Sequence, residues 1–265
     1  MLLALNIGNS NITFGGYAAD GKRAFSSRLY ADPALSSDEL TYKMVNMLAL
    51  YGIAPADLDA IILASVVPAI TPRMREALHK ISEAPLMEVG PGLKSGVRIR
   101  MDQPAQLGGE LLCAVVAALR LYDPPLIVLH ADTANTLLAV DDAGSLLGGA
   151  ILPGPQLSLA SLVRNTAQLP QVELESHPKQ PVGSNTAACL QSGIVFGTAC
   201  QLDGMIARIR AQLNAPLAPV VATGALPQSI RDACATPLDY RESLVLDGLY
   251  HVWQKNIRKA PPAKS

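Results

Sequence analysis

The chain has 265 residues, 49% of them hydrophobic and 16% charged, which is enough apolar material for one large core or two modest lobes and too much for a disordered chain. A formal net charge of -1 supplies no basic field of the kind that nucleic acid or anionic lipid attracts, so small molecules or protein are the expected partners. No stretch approaches the ~20 apolar residues of a membrane span, and the opening run Met1 to Leu5 meets Asn6 too soon, without a basic flank, for an export signal. Cys113, Cys189, Cys200 and Cys234 show neither a C-x-x-C pair nor zinc spacing; they read as small buried apolar residues in a reducing cytoplasm, with no disulfide framework and no structural metal.

Leu2 to Ile7 is a short apolar run that ends in Gly8-Asn9-Ser10-Asn11, and Ile12 to Tyr17 resumes a β-rich segment, so the chain is expected to open on a hairpin with a glycine-bearing polar turn. Ser36-Ser37-Asp38-Glu39 has the capping-box pattern, and Leu40, Met44, Leu48 and Tyr51 continue it as the apolar stripe of a helix that Gly52 stops. Ala60 to Val67, bounded by Pro68, has the unbroken apolar character of a strand buried on both faces. A helix around Arg73 to Ile81 follows, then short strands at Leu86 to Val89 and Gly96 to Met101. Gly108-Gly109-Glu110 opens a helix through Leu112, Val115, Val116 and Leu119. Glu110 therefore stands in the first turn, where free N–H groups and the helix dipole stabilise negative charge with or without a chemical role.

Leu126 to Leu129 is an apolar strand ending in His130-Ala131-Asp132-Thr133-Ala134-Asn135, and Leu137 to Val140, an Asp141-Asp142-Ala143-Gly144 turn and Leu146 to Leu152 complete a second meander. Leu5 to Asn11 and Leu129 to Asn135 stand in constant register, residue 6 answering to residue 130 and residue 11 to residue 135. A strand–turn–strand unit repeated about half a chain apart implies two related lobes rather than a solenoid. Asn185 to Leu213 reads as one long helix or two in succession, with Gly193 and Gly197 on one face for close backbone packing. Val220 to Ala222 is a strand ending in Thr223-Gly224, a strand-to-turn site of the type that contacts nucleotides in α/β folds. The last helix is Leu244 to Ile257; Lys255, Arg258 and Lys259 suit its C-terminus, and Pro261-Pro262 lead into a frayed tail over 260–265.

A strand that delivers Gly8-Asn9-Ser10 into a tight turn can hold phosphate oxygens, because glycine lets the backbone approach and the turn supplies N–H, amide and hydroxyl donors; an ordinary polar β-turn has the same composition. Along nearly its whole length the chain resembles the type III pantothenate kinases. Asn6-Ile7-Gly8-Asn9-Ser10 resembles the phosphate motif Asp-x-Gly-Asn-Thr/Ser, and Pro104 to Glu110 resembles the segment ending Gly-Ala-Asp-Arg that carries the proposed catalytic base. His130 to Ala134 falls on Asp-Phe-Gly-Thr-Ala, Gly148 to Gly154 is similar to the segment that follows it, and Gly183-Ser184-Asn185-Thr186 resembles Gly-Lys-Asn-Thr, with Gln191-Ser192-Gly193 and Gly197 in register behind it.

This resemblance implies an α/β chain of two related lobes of the ribonuclease H-like actin and sugar-kinase superfold with a cleft between them, divided here at 1–121 and 122–265. It implies transfer of the γ-phosphoryl of ATP to the primary hydroxyl of pantothenate, the first step toward coenzyme A, by a homodimer using Mg2+ and a monovalent cation. Carried over residue by residue, it assigns Glu110 as the base, Asn6, Gly8, Asn9, Ser10 and Thr133 to the nucleotide, and Gly108, Gly109 and Thr186 to the substrate, with no residue assigned as a metal ligand.

Several positions depart from the family pattern. Asn6 stands for the metal-end aspartate, Glu110 for the catalytic aspartate, Leu111 for the substrate arginine, Met101 for a substrate-contacting tyrosine, and His130 and Asp132 for the cation-binding aspartate and the glycine beside the phosphates. Three readings stay open: a pantothenate kinase with a variant site, a phosphotransferase for a less acidic acceptor, and a non-catalytic homologue that binds a partner or small molecule.

Overall fold

Strand β1 (Leu2–Ile7) is buried along its whole length. Its two-residue period sends Leu3, Leu5 and Ile7 into one core and leaves Leu2, Ala4 and Asn6 on the opposite face. In the computed structural model, which describes residues 1–257, β1 pairs antiparallel with β2 (Asn11–Tyr17) and parallel with β4 (Ala60–Ser65). Beyond these, β3 (Arg23–Tyr30) and β5 (Leu86–Glu88) complete a five-stranded sheet of order β3-β2-β1-β4-β5. Arg258, Lys259 and the tail 260–265 lie outside the described residues.

Helices α1 (Ser37–Leu50) and α2 (Thr71–Ile81) cover the Leu3-Leu5-Ile7 face with Leu40, Met44, Leu48, Met74, Ala77 and Leu78. The expected capping box forms: Ser36 Oγ accepts the Glu39 N–H at 3.3 Å, and the Glu39 carboxylate accepts the Ser36 N–H at 2.8 Å. The other face of the sheet receives α3 (Gly109–Leu121) and the C-terminal helix α7 (Leu244–Ile257), which packs on β1, β2 and β4. Tyr17 Oη and Arg23 Nη1 both donate to Asp247 Oδ1, at 2.6 and 2.7 Å, and fasten α7 to the meander. Burial, followed by the charge of Asp247, pushes the Tyr17 phenol well above its usual range, so it stays a donor.

A second sheet has the order β11-β10-β7-β8-β9-β6. It contains β6 (Arg98–Ile99), β7 (Leu126–Ala131), β8 (Ala134–Val140), β9 (Ser145–Pro153), β10 (Val220–Gly224) and β11 (Asp239–Tyr240). Its succession repeats the first: an antiparallel meander β7-β8-β9 answers to β1-β2-β3, and β10 and β11 join β7 in parallel as β4 and β5 join β1. Ile127, Leu129, Ala131 and Leu137 face a core filled by α4 (Pro155–Arg164), α5 (Thr186–Gln212) and α6 (Gln228–Ala233).

By contacts the chain forms two compact units: Met1–Val97 with Gln103–Ala117 and the described residues from Ser243 on, and Arg98–Asp102 with Ala118–Glu242. A single cut near residue 121 assigns the C-terminal helix to the second half, whereas that helix packs in the first unit. Gly248 is the physical reason: a Cβ there would run into the Cys113 carbonyl oxygen, so α7 lies backbone-close to α3.

Other expectations are also corrected. The strand expected from Gly96 to Met101 reduces to Arg98–Ile99, and β4 stops at Ser65, whose Oγ accepts the Val67 N–H and the Thr71 hydroxyl on the way into α2. Cys113 alone is fully buried; Cys189 and Cys200 are exposed and Cys234 is half-buried, so the cysteines are not uniformly core residues. Gly193 and Gly197 have no atom within 4 Å of a built Cβ, and they admit no close backbone within the chain. Among the described residues no helix is long and apolar enough to cross a membrane.

Replacing Gly248→Ala sets a methyl group against backbone that cannot rotate away. It is expected to cost ~3 kcal/mol of unfolding free energy, read as a lower urea midpoint at unchanged m-value.

Candidate functional site

Asn6 lies at the C-terminal end of β1, flanked in register by Thr13 of β2 and Ala64 of β4. The chain then turns through Gly8-Asn9-Ser10: the Gly8 N–H donates to the Asn11 carbonyl at 2.9 Å, and the Ser10 carbonyl accepts the Ala31 N–H at 3.1 Å. Gly8 is buried while Asn9 and Ser10 are exposed, so the turn presents polar groups from a fixed base.

The start of α3 is brought to the same place by its glycines. A Cβ on Gly108 would sit 3.2 Å from Val66 Cγ1, and one on Gly109 would sit 3.1 Å from Val89 Cγ1 and 3.6 Å from Ala64 Cβ. Their absence lets the helix N-terminus rest on the ends of β4 and β5. Glu110 is buried there, and its Oε2 accepts a hydrogen bond of 3.2 Å from Asn6 Nδ2. The structure thus joins Asn6 and Glu110, 104 apart in sequence, in one buried contact. Asn6 Oδ1 is buried and has no hydrogen-bond partner among the described residues. Among the described residues no three His, Cys, Asp or Glu side chains converge as a metal cluster, so the chain offers a metal one neutral oxygen and one neighbouring carboxylate here.

In the second unit the turn Asp132-Thr133 joins β7 to β8, and it is built by close backbone approach. Gly154, at the N-cap of α4, donates its N–H to the Thr133 carbonyl at 3.0 Å, and a Cβ on it would strike the Asp132 and Thr133 carbonyls. Gly224 has φ +92° and packs on the Ala131 carbonyl, which accepts the Ala225 N–H at 2.6 Å; Tyr240 Oη donates to the Gly224 carbonyl at 2.5 Å. Thr133 is exposed at the turn, and His130 is buried on β7 beside Thr136 and Thr223. Thr186 is the exposed first residue of α5, behind the N-cap Asn185, whose Oδ1 accepts the Ala188 N–H at 2.9 Å.

Residues 2–208 match the family pattern described as Type III pantothenate kinase. A type III pantothenate kinase of Rubrobacter xylanophilus is 36% identical over 264 residues, covering 98% of this chain and 100% of that protein. Among solved structures, the activator of the 2-hydroxyisocaproyl-CoA dehydratase from Clostridium difficile, with bound ADPNP, superposes with a TM-score of 0.56 at 11% identity, covering 100% of this chain and 99% of that one. A candidate 2-dehydro-3-deoxygalactonokinase from Sinorhizobium meliloti superposes with a TM-score of 0.58 at 14% identity over the whole of both chains. These likenesses give the fold: α/β, of the actin and sugar-kinase type.

Asn135 is a residue that reading the sequence did not single out chemically. The repeat aligns it with Asn11, but β1 and β2 are separated by Gly8, Asn9 and Ser10, whereas only Asp132 and Thr133 separate β7 from β8. The register therefore shifts: Asn135 opposes Ala131 as Ile12 opposes Ile7, and a fully buried amide occupies an apolar position with both side-chain polar atoms unpartnered among the described residues. The one-residue difference in turn length was the available signal. Asn135→Val is expected to raise unfolding free energy by ~1–2 kcal/mol, because an unsatisfied buried amide is removed; a lower urea midpoint would contradict this.

Proposed function

Since the chain belongs to the type III pantothenate kinase family, we propose that it transfers the γ-phosphoryl group of ATP to the primary hydroxyl of pantothenate, with Glu110 as the base. The observation that carries this reading is the buried Asn6–Glu110 contact beside the Gly8-Asn9-Ser10 turn, which keeps a carboxylate at the position of the family's proton acceptor.

In this reading the turn N–H groups, amide and hydroxyl of Gly8, Asn9 and Ser10 suit phosphate oxygens, and the family pattern assigns Thr133 to the nucleotide and Gly108, Gly109 and Thr186 to the acceptor. As the acceptor oxygen bonds to the γ-phosphorus and the bond to the bridging oxygen of ADP breaks, Glu110 receives the hydroxyl proton. Mg2+, when bound, neutralises phosphate charge; Asn6 Oδ1 suits it as a neutral donor to an ion held chiefly by the phosphates. His130 presents an imidazole where the family binds a monovalent cation, and a nitrogen donor does not fit that ion, so independence from potassium belongs to the reading. A homodimer also belongs to it: the exposed Gly193 leaves α5 sterically open to a second copy.

A second reading keeps the transfer and changes the acceptor. Leu111 and Met101, both half-buried, stand where the family carries an arginine and a tyrosine, which removes polar recognition of a carboxylate and favours a less acidic alcohol.

The test is thermal unfolding with ATP-Mg2+ and with pantothenate, followed by measurement of ADP release. A nucleotide at a hundred times its Kd is expected to stabilise the protein by ~2.7 kcal/mol, and Glu110→Gln to lower kcat by about 100-fold or more. ADP release with neutral alcohols but not pantothenate would select the second reading. An unfolding midpoint unmoved by any nucleotide would overturn both.

A further inference from the structure

We propose that Asn6 is the positioning residue for Glu110 and that the amide at 6 and the longer carboxylate at 110 form one co-adapted unit, so that exchanging Asn6 alone for aspartate disables it. The inference rests on Glu110 being the proton acceptor.

The two partners are mechanically unequal. Asn6 stands on a strand paired along its length to β2 on one side and β4 on the other, so its amide is held by the backbone of three strands. Glu110 reaches from the first turn of α3 on a longer side chain, which has more torsions to order than that of Asn6. The rigid donor therefore orients the flexible acceptor. Their separation of 3.2 Å lies at the long end of hydrogen-bond distances, and both side chains are more than nine-tenths buried, so bulk water is a poor replacement.

The local packing shows why both positions are involved. Ala64 and the two glycines allow α3 to approach β1, and the Glu110 side chain spans what distance remains. An aspartate at position 6 would set one acceptor carboxylate against another with no donor between them. With Asn6 the amide N–H donates to a Glu110 carboxyl oxygen. Two departures from the family pattern that look like separate losses in sequence are thus halves of one donor–acceptor pair.

A polarity swap tests this in the full chain. Ligand-free thermal unfolding is compared for Asn6→Asp, for Glu110→Gln and for the double variant. Asn6→Asp is expected to lower the midpoint, Glu110→Gln to leave it near wild type, and the double variant to recover most of the loss, because the amide introduced at position 110 can then donate to the new carboxylate at position 6. The double variant is also expected to be inactive, having no base. Asn6→Ala supplies the kinetic arm: kcat falls between tenfold and about 100-fold at saturating ATP-Mg2+, whatever the accompanying change in the KM for ATP.

A double variant no more stable than Asn6→Asp would overturn the pair, and an unchanged kcat in Asn6→Ala would overturn the positioning role. A raised KM for ATP at unchanged kcat would do the same, making Asn6 a nucleotide or metal contact only. If the wild type turns over no hydroxyl acceptor, the kinase reading and the positioning role both fall, while the unfolding cycle still decides whether the two residues are coupled.

Discussion

Strand β1 runs between two neighbours and is covered on both faces, so each of its six side chains is assigned to one of two packed layers. A slip of one residue would drive Asn6 into the Leu3-Leu5-Ile7 core and eject the apolar set, which makes its register costly to change. That constraint places the Asn6 amide with the accuracy of a backbone. Everything chemical in the first unit is arranged around it: the turn that follows, the helix start that comes to rest on β4 and β5, and the carboxylate that accepts its hydrogen bond.

The second unit uses the same strand succession with a different result. Its central strand β7 is equally buried, but the turn after it is one residue shorter. In a strand that difference reverses which residues face the core. Asn135 consequently stands where Ile12 stands in the first unit, while His130 and Thr136 occupy the places of Asn6 and Thr13. Duplication thus preserved the scaffold, and a small change in loop length redistributed polar groups between faces.

The departures from the family pattern differ in kind once they are placed. Asn6 and Glu110 are in contact as a hydrogen-bond donor and an acceptor. Leu111 and Met101 are half-buried apolar residues, and neither enters that contact. At Gly154 and Gly224 the close approach is to backbone, so a side chain there would displace a turn, whereas at Gly108 and Gly109 it is to the side chains of Val66 and Val89.

Much of the fold was legible in the residues. Periodicity and end signals place α2, α5, α7 and the first hairpin to within two residues and the second hairpin to within three, because an apolar period and a cap are local properties. The elements that were missed, β3, α4, α6 and β11, are short or half-exposed and carry no strong period. For the site, the sequence determined the residue types and their order: a glycine turn after a buried strand, a carboxylate in a first helical turn, and a threonine in the second turn. Only the tertiary structure decided that Asn6 and Glu110 touch, that Asn135 faces the core, and that the C-terminal helix closes on the first sheet. Each of those depends on non-local packing between segments far apart in the chain, where one missing Cβ or one loop residue sets the outcome and leaves no periodic trace in the sequence.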